Sequence, residues 1–384
     1  MRTRCMASVK KVVIIGAGNG GVVAANQLAK SEGVKITVID KSPFHVYQPG
    51  LVDMLFDEKI TSDSIRKETR TLLYKNIDFV QKKVIKADIQ NHEVVTDDGN
   101  KIGYDYLIIS PGVTEKNKFG FPPWHDIESI TKIRDSMEDL NGKNVVVGYY
   151  GLIKCPAAPF EISFLLKRKY PKANVTLLNP VSQPPKLQVP MANLLGQTAK
   201  EMGIQVKRGF KLSEVKDNLM VSEEGDKVQF DYAIIDSPIK VHKEFEDLSD
   251  STGLIPTDKF SLKFKDFDNV FVIGDATNIT FPPKTGAMAH FEAVYVSKSI
   301  LSDINGQEKT KFDGRAMCAI YAGINKGMLV YMDYEKSTAQ GRNLAFYVSK
   351  KMFMSLYWAS LTGSINNLLE GLSSAFATKA IPAN

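Results

Sequence analysis

The sequence predicts an α/β chain of two tandem units, each a parallel sheet flanked by helices, followed by an amphipathic helical tail. Three observations predict it. An apolar strand runs into a glycine-rich turn and a helix at "KKVVIIGAGNGGVVAANQLAK" (10–30). Strand-like segments of the first unit recur in the same order further on. The last forty residues place apolar side chains at helical spacing.

The first unit opens with Gly16-x-Gly18-x-x-Gly21 between strand and helix, and "VKITVID" supplies a second strand ending in Asp40. This order has a physical basis in dinucleotide binding. Gly16 makes the tight turn, Gly18 lets the backbone approach a pyrophosphate at the helix N-terminus, and Gly21 allows close packing. Asp40, about twenty residues on, accepts from ribose hydroxyls. "YDYLIISPG" (104–112) reads as a further strand closing in a turn at Gly112, and "NVFVIGDATN" (269–278) as a buried strand ending in Gly274-Asp275.

The repeat pairs "KKVVIIGAG", "VKITVID" and "YDYLIIS" with "KNVVVGYYG", "ANVTLLN" and "FDYAIID". The Gly274-Asp275 strand completes the first unit only after the second has ended, so the second is read as an insertion. The expected organisation is a discontinuous first dinucleotide-binding domain (9–112 and 250–310), a second Rossmann-like domain (113–249) and a C-terminal segment (311–384). In the second unit the phosphate loop keeps Gly148 and Gly151 but carries Tyr149 and Tyr150, and the strand equivalent to the one ending at Asp40 ends in Asn179. NAD needs small residues in that loop and a carboxylate or arginine at the strand end, so this nucleotide site reads as degenerate. In its place stands Cys155, before Pro156 and a helical pattern. A cysteine at a helix N-terminus is favoured as a thiolate, and a small buried cysteine is the alternative reading.

Composition narrows the function. With 384 residues, 43% of them hydrophobic, the chain has material for two cores. No run of about 18 apolar residues suggests a spanning helix, and "MRTRCMASVKK" lacks the apolar stretch of a secretory signal. Cys5, Cys155 and Cys318 are too few for a structural disulfide framework, and no Cys/His cluster has zinc-ligand spacing. The net charge is +6, and residues 341–384 hold Arg342, Lys350, Lys351 and Lys379 against Glu370 alone. Without a nucleic-acid fold motif, that basicity points away from nucleic acid and toward an anionic surface.

The strand–glycine–helix start, the "SPG" turn and the Gly274-Asp275 strand together resemble the flavoprotein reductases with two dinucleotide domains. That resemblance implies FAD, with Asp275 against the ribityl chain. The pairing of "KCPAAPFE" with "FDGRAMCAIYAG", joined by "HVYQPG" (45–50) and "FPPKTGAMAH" (281–290), is similar to the sulfide:quinone oxidoreductases and the flavocytochrome c sulfide dehydrogenases. The resemblance implies that Cys155 and Cys318 form a redox disulfide at the flavin, with Cys155 as the flavin-side thiolate. It also implies that sulfide is oxidised to zero-valent sulfur and that electrons pass to a membrane quinone. It assigns Glu161 to proton handling near the sulfur site, and Lys284 and Thr285 to the start of a helix aimed at the flavin pyrimidine edge. "FPPWHDIESITKI" lacks the additional cysteine of many members, so the chain resembles the two-cysteine type. His45, His125 and His290 have no evident partner in the sequence and read as structural.

Two apolar patterns remain in the tail, "AFYVSKKMFMSLYWASL" and "SINNLLEGLSSAF". Aromatics beside Lys350 and Lys351 suit a helix lying on a bilayer, and packing on the protein's own body is the alternative. The expectation is a peripheral membrane flavoprotein on the cytoplasmic face. A homo-oligomer stays open, as does an NADH:quinone oxidoreductase or a non-catalytic flavin redox sensor.

Overall fold

The computed structural model describes residues 9–382; Cys5 lies outside them. The first sheet is wholly parallel, in the order Val270–Val272, Tyr106–Ile109, Lys10–Ile15, Val34–Asp40, Ile77–Gln81. Its central strands are buried on both faces. Val12 and Ile14 belong to one apolar cluster, and Val13 and Ile15 to another on the opposite side. That is why "VVII" is a continuous apolar run without alternation. The strand Val270–Val272 completes this sheet although the whole second unit intervenes in sequence.

The second sheet runs Gln205–Arg208, Asn174–Asn179, Asn144–Tyr149, Tyr232–Asp236, again parallel. The chain crosses between the two units through paired short strands, Thr114–Glu115 against Ile239–Lys240. The helices Asn19–Leu28 and Gly286–Ile304 pack along one another. Parallel sheets put their ligand crevices at the carboxyl ends of the strands, so both glycine-rich turns open at those ends.

The C-terminal segment is more than a helical tail. Ala316–Tyr321, Gly327–Met332 and Lys336–Asn343 form an antiparallel sheet edged by Ile381–Pro382, and Cys318 sits on its first strand opposite Val330. Helices Leu344–Leu361 and Asn366–Ala377 follow. The first lies on the body: Tyr357, Ser360 and Leu361 are buried. Among the described residues no helix is long and apolar enough to cross a membrane.

Candidate active site

The first nucleotide cradle is built by steric necessity. Gly16 has φ +92°, and a Cβ there would stand 2.3 Å from the Ser110 carbonyl oxygen; a Cβ at Gly21 would stand 1.9 Å from that of Gly16. Turn and helix can approach this closely only without side chains. A Cβ at Gly18 would meet nothing within 4 Å, so Gly18 faces open space. Gly18 is also the N-cap of Asn19–Leu28 and carries no capping side chain, which leaves the first N–H groups of the helix free for an anion. Asp40 stands beside them, accepting from the Ala17 N–H at 2.6 Å and the Ser42 N–H at 2.8 Å. The serine of "SPG" ties the two turns together, because its hydroxyl donates to the Ile15 carbonyl at 2.8 Å. Gly112 ends that turn at φ +69°. The buried Asn19 Oδ1 has no hydrogen-bond partner in the protein.

The second half of the cradle comes from the far end of the chain. Gly274 and Asp275 form the turn after Val270–Val272, and the Gly274 N–H donates to Glu292 at 2.6 Å. Lys284 is buried and donates to the Thr277 carbonyl at 2.6 Å. Thr285 caps Gly286–Ile304 by accepting from the Met288 N–H at 3.0 Å. The sequence reading named Lys284 and Thr285 but missed Glu292, whose burial inside an amphipathic helix has no signature in the sequence. Burial lifts the Glu292 carboxyl to about 7, against the opposing pull of the Gly274 N–H and Lys284. Lys284 is pushed down by burial in turn.

Cys155 and Cys318 are brought together here as free thiols. The strand Ala316–Tyr321, which carries Cys318, packs against the helix Ala158–Lys169 that follows Cys155 and against the helix Gly286–Ile304 that Thr285 caps. Cys155 lies just ahead of the helix Ala158–Lys169, as the sequence suggests, and its carbonyl accepts from the Ala158 N–H at 3.1 Å. The proline inside the first helical turn is Pro159 rather than Pro156. The expectation that the helix end makes Cys155 a ready thiolate needs correction. Burial is the larger effect and raises this thiol to about 12, with Cys318 and Glu161 adding to the rise.

Glu161 is buried, which decides against an ordinary solvated helix glutamate. One carboxylate oxygen accepts from the Tyr321 N–H at 2.7 Å and from Lys350 Nζ. Burial raises its pKa and the paired lysine opposes the rise. The Tyr321 hydroxyl donates to Asp53 at 2.5 Å, and Lys351 pairs with the same carboxylate at 3.0 Å. Lys350 and Lys351 are therefore not the lipid-facing cations that the tail pattern suggests. The intervening helix turns place both of them toward carboxylates of the body. The histidines have partners as well. His45 bridges the Ala17 carbonyl at 2.8 Å and the Tyr357 hydroxyl at 2.7 Å; His125 meets Asp236 at 2.8 Å; His290 is buried edge-on to Phe291. Burial holds His45 and His290 near 4, so both are neutral structural groups at neutral pH.

In the second unit the two tyrosines fill their own nucleotide loop. Both rings are buried, and the Tyr149 hydroxyl donates at 2.8 Å to Asn179, the residue at the strand end where a ribose-binding acid would stand. The Tyr150 hydroxyl contacts Ser237 and accepts from the Lys118 N–H.

The first cradle is left open at Gly18, while the chain's own Tyr149 reaches across the second to Asn179; an open dinucleotide cradle on this doubly sheeted α/β fold defines the class as a dinucleotide-binding oxidoreductase. The chain belongs to the pyridine nucleotide-disulphide oxidoreductase family, whose sequence profile matches residues 10–296. The mitochondrial sulfide:quinone oxidoreductase of Mus musculus is 24% identical over 91% of this chain and 85% of its own length. The solved sulfide:quinone oxidoreductase of Aquifex aeolicus superposes with a TM-score of 0.80 at 19% identity, covering 92% of each chain. NDH2 of Plasmodium falciparum, solved in complex with NADH, superposes at 0.65 with 14% identity, covering 93% of this chain and 98% of its own. These bear out the resemblance to sulfide:quinone oxidoreductases read from the sequence. The dinucleotide is FAD. The open face of Gly18 and the uncapped helix N-terminus fit a pyrophosphate-bearing cofactor, while the unpartnered Asn19 Oδ1, an acceptor, fits a donor group such as a cofactor hydroxyl.

Proposed function

We propose that this chain oxidises hydrosulfide to zero-valent sulfur at Cys155 and Cys318 and delivers the electrons, through FAD, to a quinone taken from a bilayer surface. The observation that carries the reading is that the strand bearing Cys318 packs against both the helix that follows Cys155 and the helix Gly286–Ile304, bringing thiols from distant parts of the sequence to one place beside the cradle. Gly16, Gly18, Gly21, Asp40, Gly112, Gly274, Asp275, Lys284 and Thr285 are the residues that would hold the cofactor. Bound FAD supplies a two-electron acceptor.

The protein's own part begins from the Cys155–Cys318 disulfide. Hydrosulfide attacks one sulfur; a new S–S bond to substrate forms, the Cys155–Cys318 bond breaks, and one cysteine leaves as a thiolate. Cys155 is assigned the flavin-side thiolate as the family resemblance implies; burial raises both thiols, so that thiolate is stabilised only once the site is charged by the reaction itself. Regenerating the disulfide and releasing zero-valent sulfur removes two electrons and one proton from each hydrosulfide. Glu161, buried beside both thiols with its proton affinity raised, accepts the proton.

The membrane half of the reading rests on an apolar stripe. Leu344, Val348, Met352 and Leu356 recur every fourth residue on one helix and are exposed, as are Leu368 and Leu372 on the next. Such a face suits the interface of a bilayer. An NADH-oxidising reading is opposed by the Tyr149–Asn179 bond, which occupies the second nucleotide loop.

Anaerobic addition of sulfide to the FAD-loaded protein tests the proposal. Rapid bleaching of the flavin by sulfide but not by NADH is expected. Bleaching by NADH alone makes it an NADH dehydrogenase, and bleaching by neither leaves a redox sensor.

A further inference from the structure

One cavity is lined by Gly274, Asp275, Lys284, Thr285 and Glu292. It holds two carboxylates and one ammonium, and Glu292 is 1% exposed while Lys284 is 3% exposed. Lys284 spends its hydrogen bonds on Thr277, so it compensates both acids through its field rather than by direct contact. Glu292 is fixed by the Gly274 N–H, which belongs to the very turn that presents Asp275 to the cofactor site. Nothing in the thiol chemistry above uses Glu292.

The groups facing Glu292 are few. The Gly274–Ala276 turn brings Asp275, the segment ahead of the helix brings Lys284, and the C-terminal sheet brings the Tyr334 phenol, which senses the Glu292 charge and is itself pushed well above the ordinary tyrosine range. The helix Asn19–Leu28 packed alongside carries no ionisable residue. The strand Ala316–Tyr321, packed on the helix Gly286–Ile304, contributes Cys318, whose thiol burial pushes up. A negative charge added to this pocket is therefore felt by Glu292, whose carboxyl burial has raised, and by Lys284, whose ammonium burial has pushed down.

We propose that Glu292 is the redox-linked proton acceptor of the flavin site, taking up one proton from solvent when the cofactor is reduced and releasing it on reoxidation. For each two electrons delivered, the flavin takes one proton and Glu292 takes a second, so the added negative charge next to Asp275 is neutralised in place. Glu292 acts through the Gly274 turn and the field of Lys284, and is a positioning and charge-balancing residue rather than a catalytic one. The raised carboxyl described above places the exchange near neutral pH. The inference rests on FAD occupying the first cradle and is independent of the sulfide reaction.

The test is a mediated redox titration of the FAD-loaded protein with dithionite, using neither sulfide nor quinone, at a series of pH values through neutral. One additional proton per two electrons steepens the dependence of the midpoint potential by about 30 mV per pH unit in that window. Glu292→Gln keeps a carbonyl oxygen for the Gly274 N–H and removes the titration. Its potential is expected to meet that of the parent protein on the acid side, to lie above it on the alkaline side, and to lack the extra slope. Parallel slopes in the two proteins overturn the proposal. Should the variant fail to retain FAD, the reduced-minus-oxidised infrared spectrum of the parent protein decides. A protonated-carboxyl band gained near neutral pH and shifted by isotope-labelled glutamate supports Glu292, and its absence refutes it.

Discussion

Replacing Lys350 with methionine removes the cation from the Glu161 pair without changing side-chain length much. Both partners are 8% exposed, and Lys350 also sits 4.3 Å over the Tyr321 ring. Breaking a buried pair from one side costs about 3–5 kcal/mol, because the remaining charge stays desolvated and unpaired. At about 2.1 cal/mol/K of unfolding entropy per residue, 384 residues give about 0.8 kcal/mol/K, so cooperative unfolding is expected about 4–6 °C lower at neutral pH. The loss depends on pH with a definite sign. Burial raises the folded-state pKa of Glu161 above its ordinary value of 4.5, so the folded chain holds that proton more tightly than the unfolded chain. This contribution to stability is complete below the ordinary carboxyl range and is lost as pH rises through it toward the folded value. Lys350 opposes the rise, so Lys350→Met moves the folded value further up and the variant loses more over the same climb. Calorimetry on FAD-loaded protein should show a small deficit at acid pH that grows toward neutral. The double variant Glu161→Leu/Lys350→Met should recover most of the loss, since an apolar pair leaves no buried charge. A variant as stable as the parent at neutral pH, or a deficit independent of pH, would refute the assignment of this pair as the tie between helix Leu344–Leu361 and the thiol site.

Three further outcomes are expected. Cys155→Ser and Cys318→Ser should each abolish sulfide-dependent flavin bleaching with FAD retained, while Cys5→Ser should bleach normally; near-normal bleaching in either of the first two refutes the disulfide route. Gly18→Ala should leave the melting temperature of the cofactor-free protein unchanged and weaken FAD binding, because its methyl meets only open space in the protein; Gly21→Ala, with a Cβ 1.9 Å from the Gly16 carbonyl oxygen, should lose fold stability as well. Changing Leu344, Val348, Met352 and Leu356 together to glutamate should abolish vesicle binding and quinone reduction, yet spare single-turnover bleaching by sulfide and the melting temperature. Deleting residues 341–384 is the poorer test, because it also removes Lys350, Tyr357 and Leu361 from the body of the protein.

The local pattern alone carried the first cradle. The strand "KKVVII", the three glycines and Asp40 are contiguous, and each answers to a short-range requirement of backbone geometry or helix-end charge. The repeat likewise announced the second parallel sheet, and Tyr149, Tyr150 and Asn179 announced that its nucleotide loop was altered. The altered loop points to Cys155 from its own context, but Cys318 and Glu161 are named only through resemblance to a known arrangement, because Cys318 lies far along the chain and joins them only where the antiparallel extension packs on the second unit's helix. The partners that set their chemistry were illegible. Lys350 reads as a surface cation in an amphipathic pattern, and only packing turns it inward to Glu161. The sequence places Cys155 at a helix end, but whether the helix field or desolvation governs its proton depends on everything folded around it, and desolvation prevails. Glu292 is one polar residue in a helix whose other buried positions are mostly apolar or small, and the sequence gives no reason to single it out. Its proximity to Gly274, Asp275 and Lys284 arises when the Gly286–Ile304 helix packs back on the turn that precedes it, so its charge state is a property of the tertiary structure.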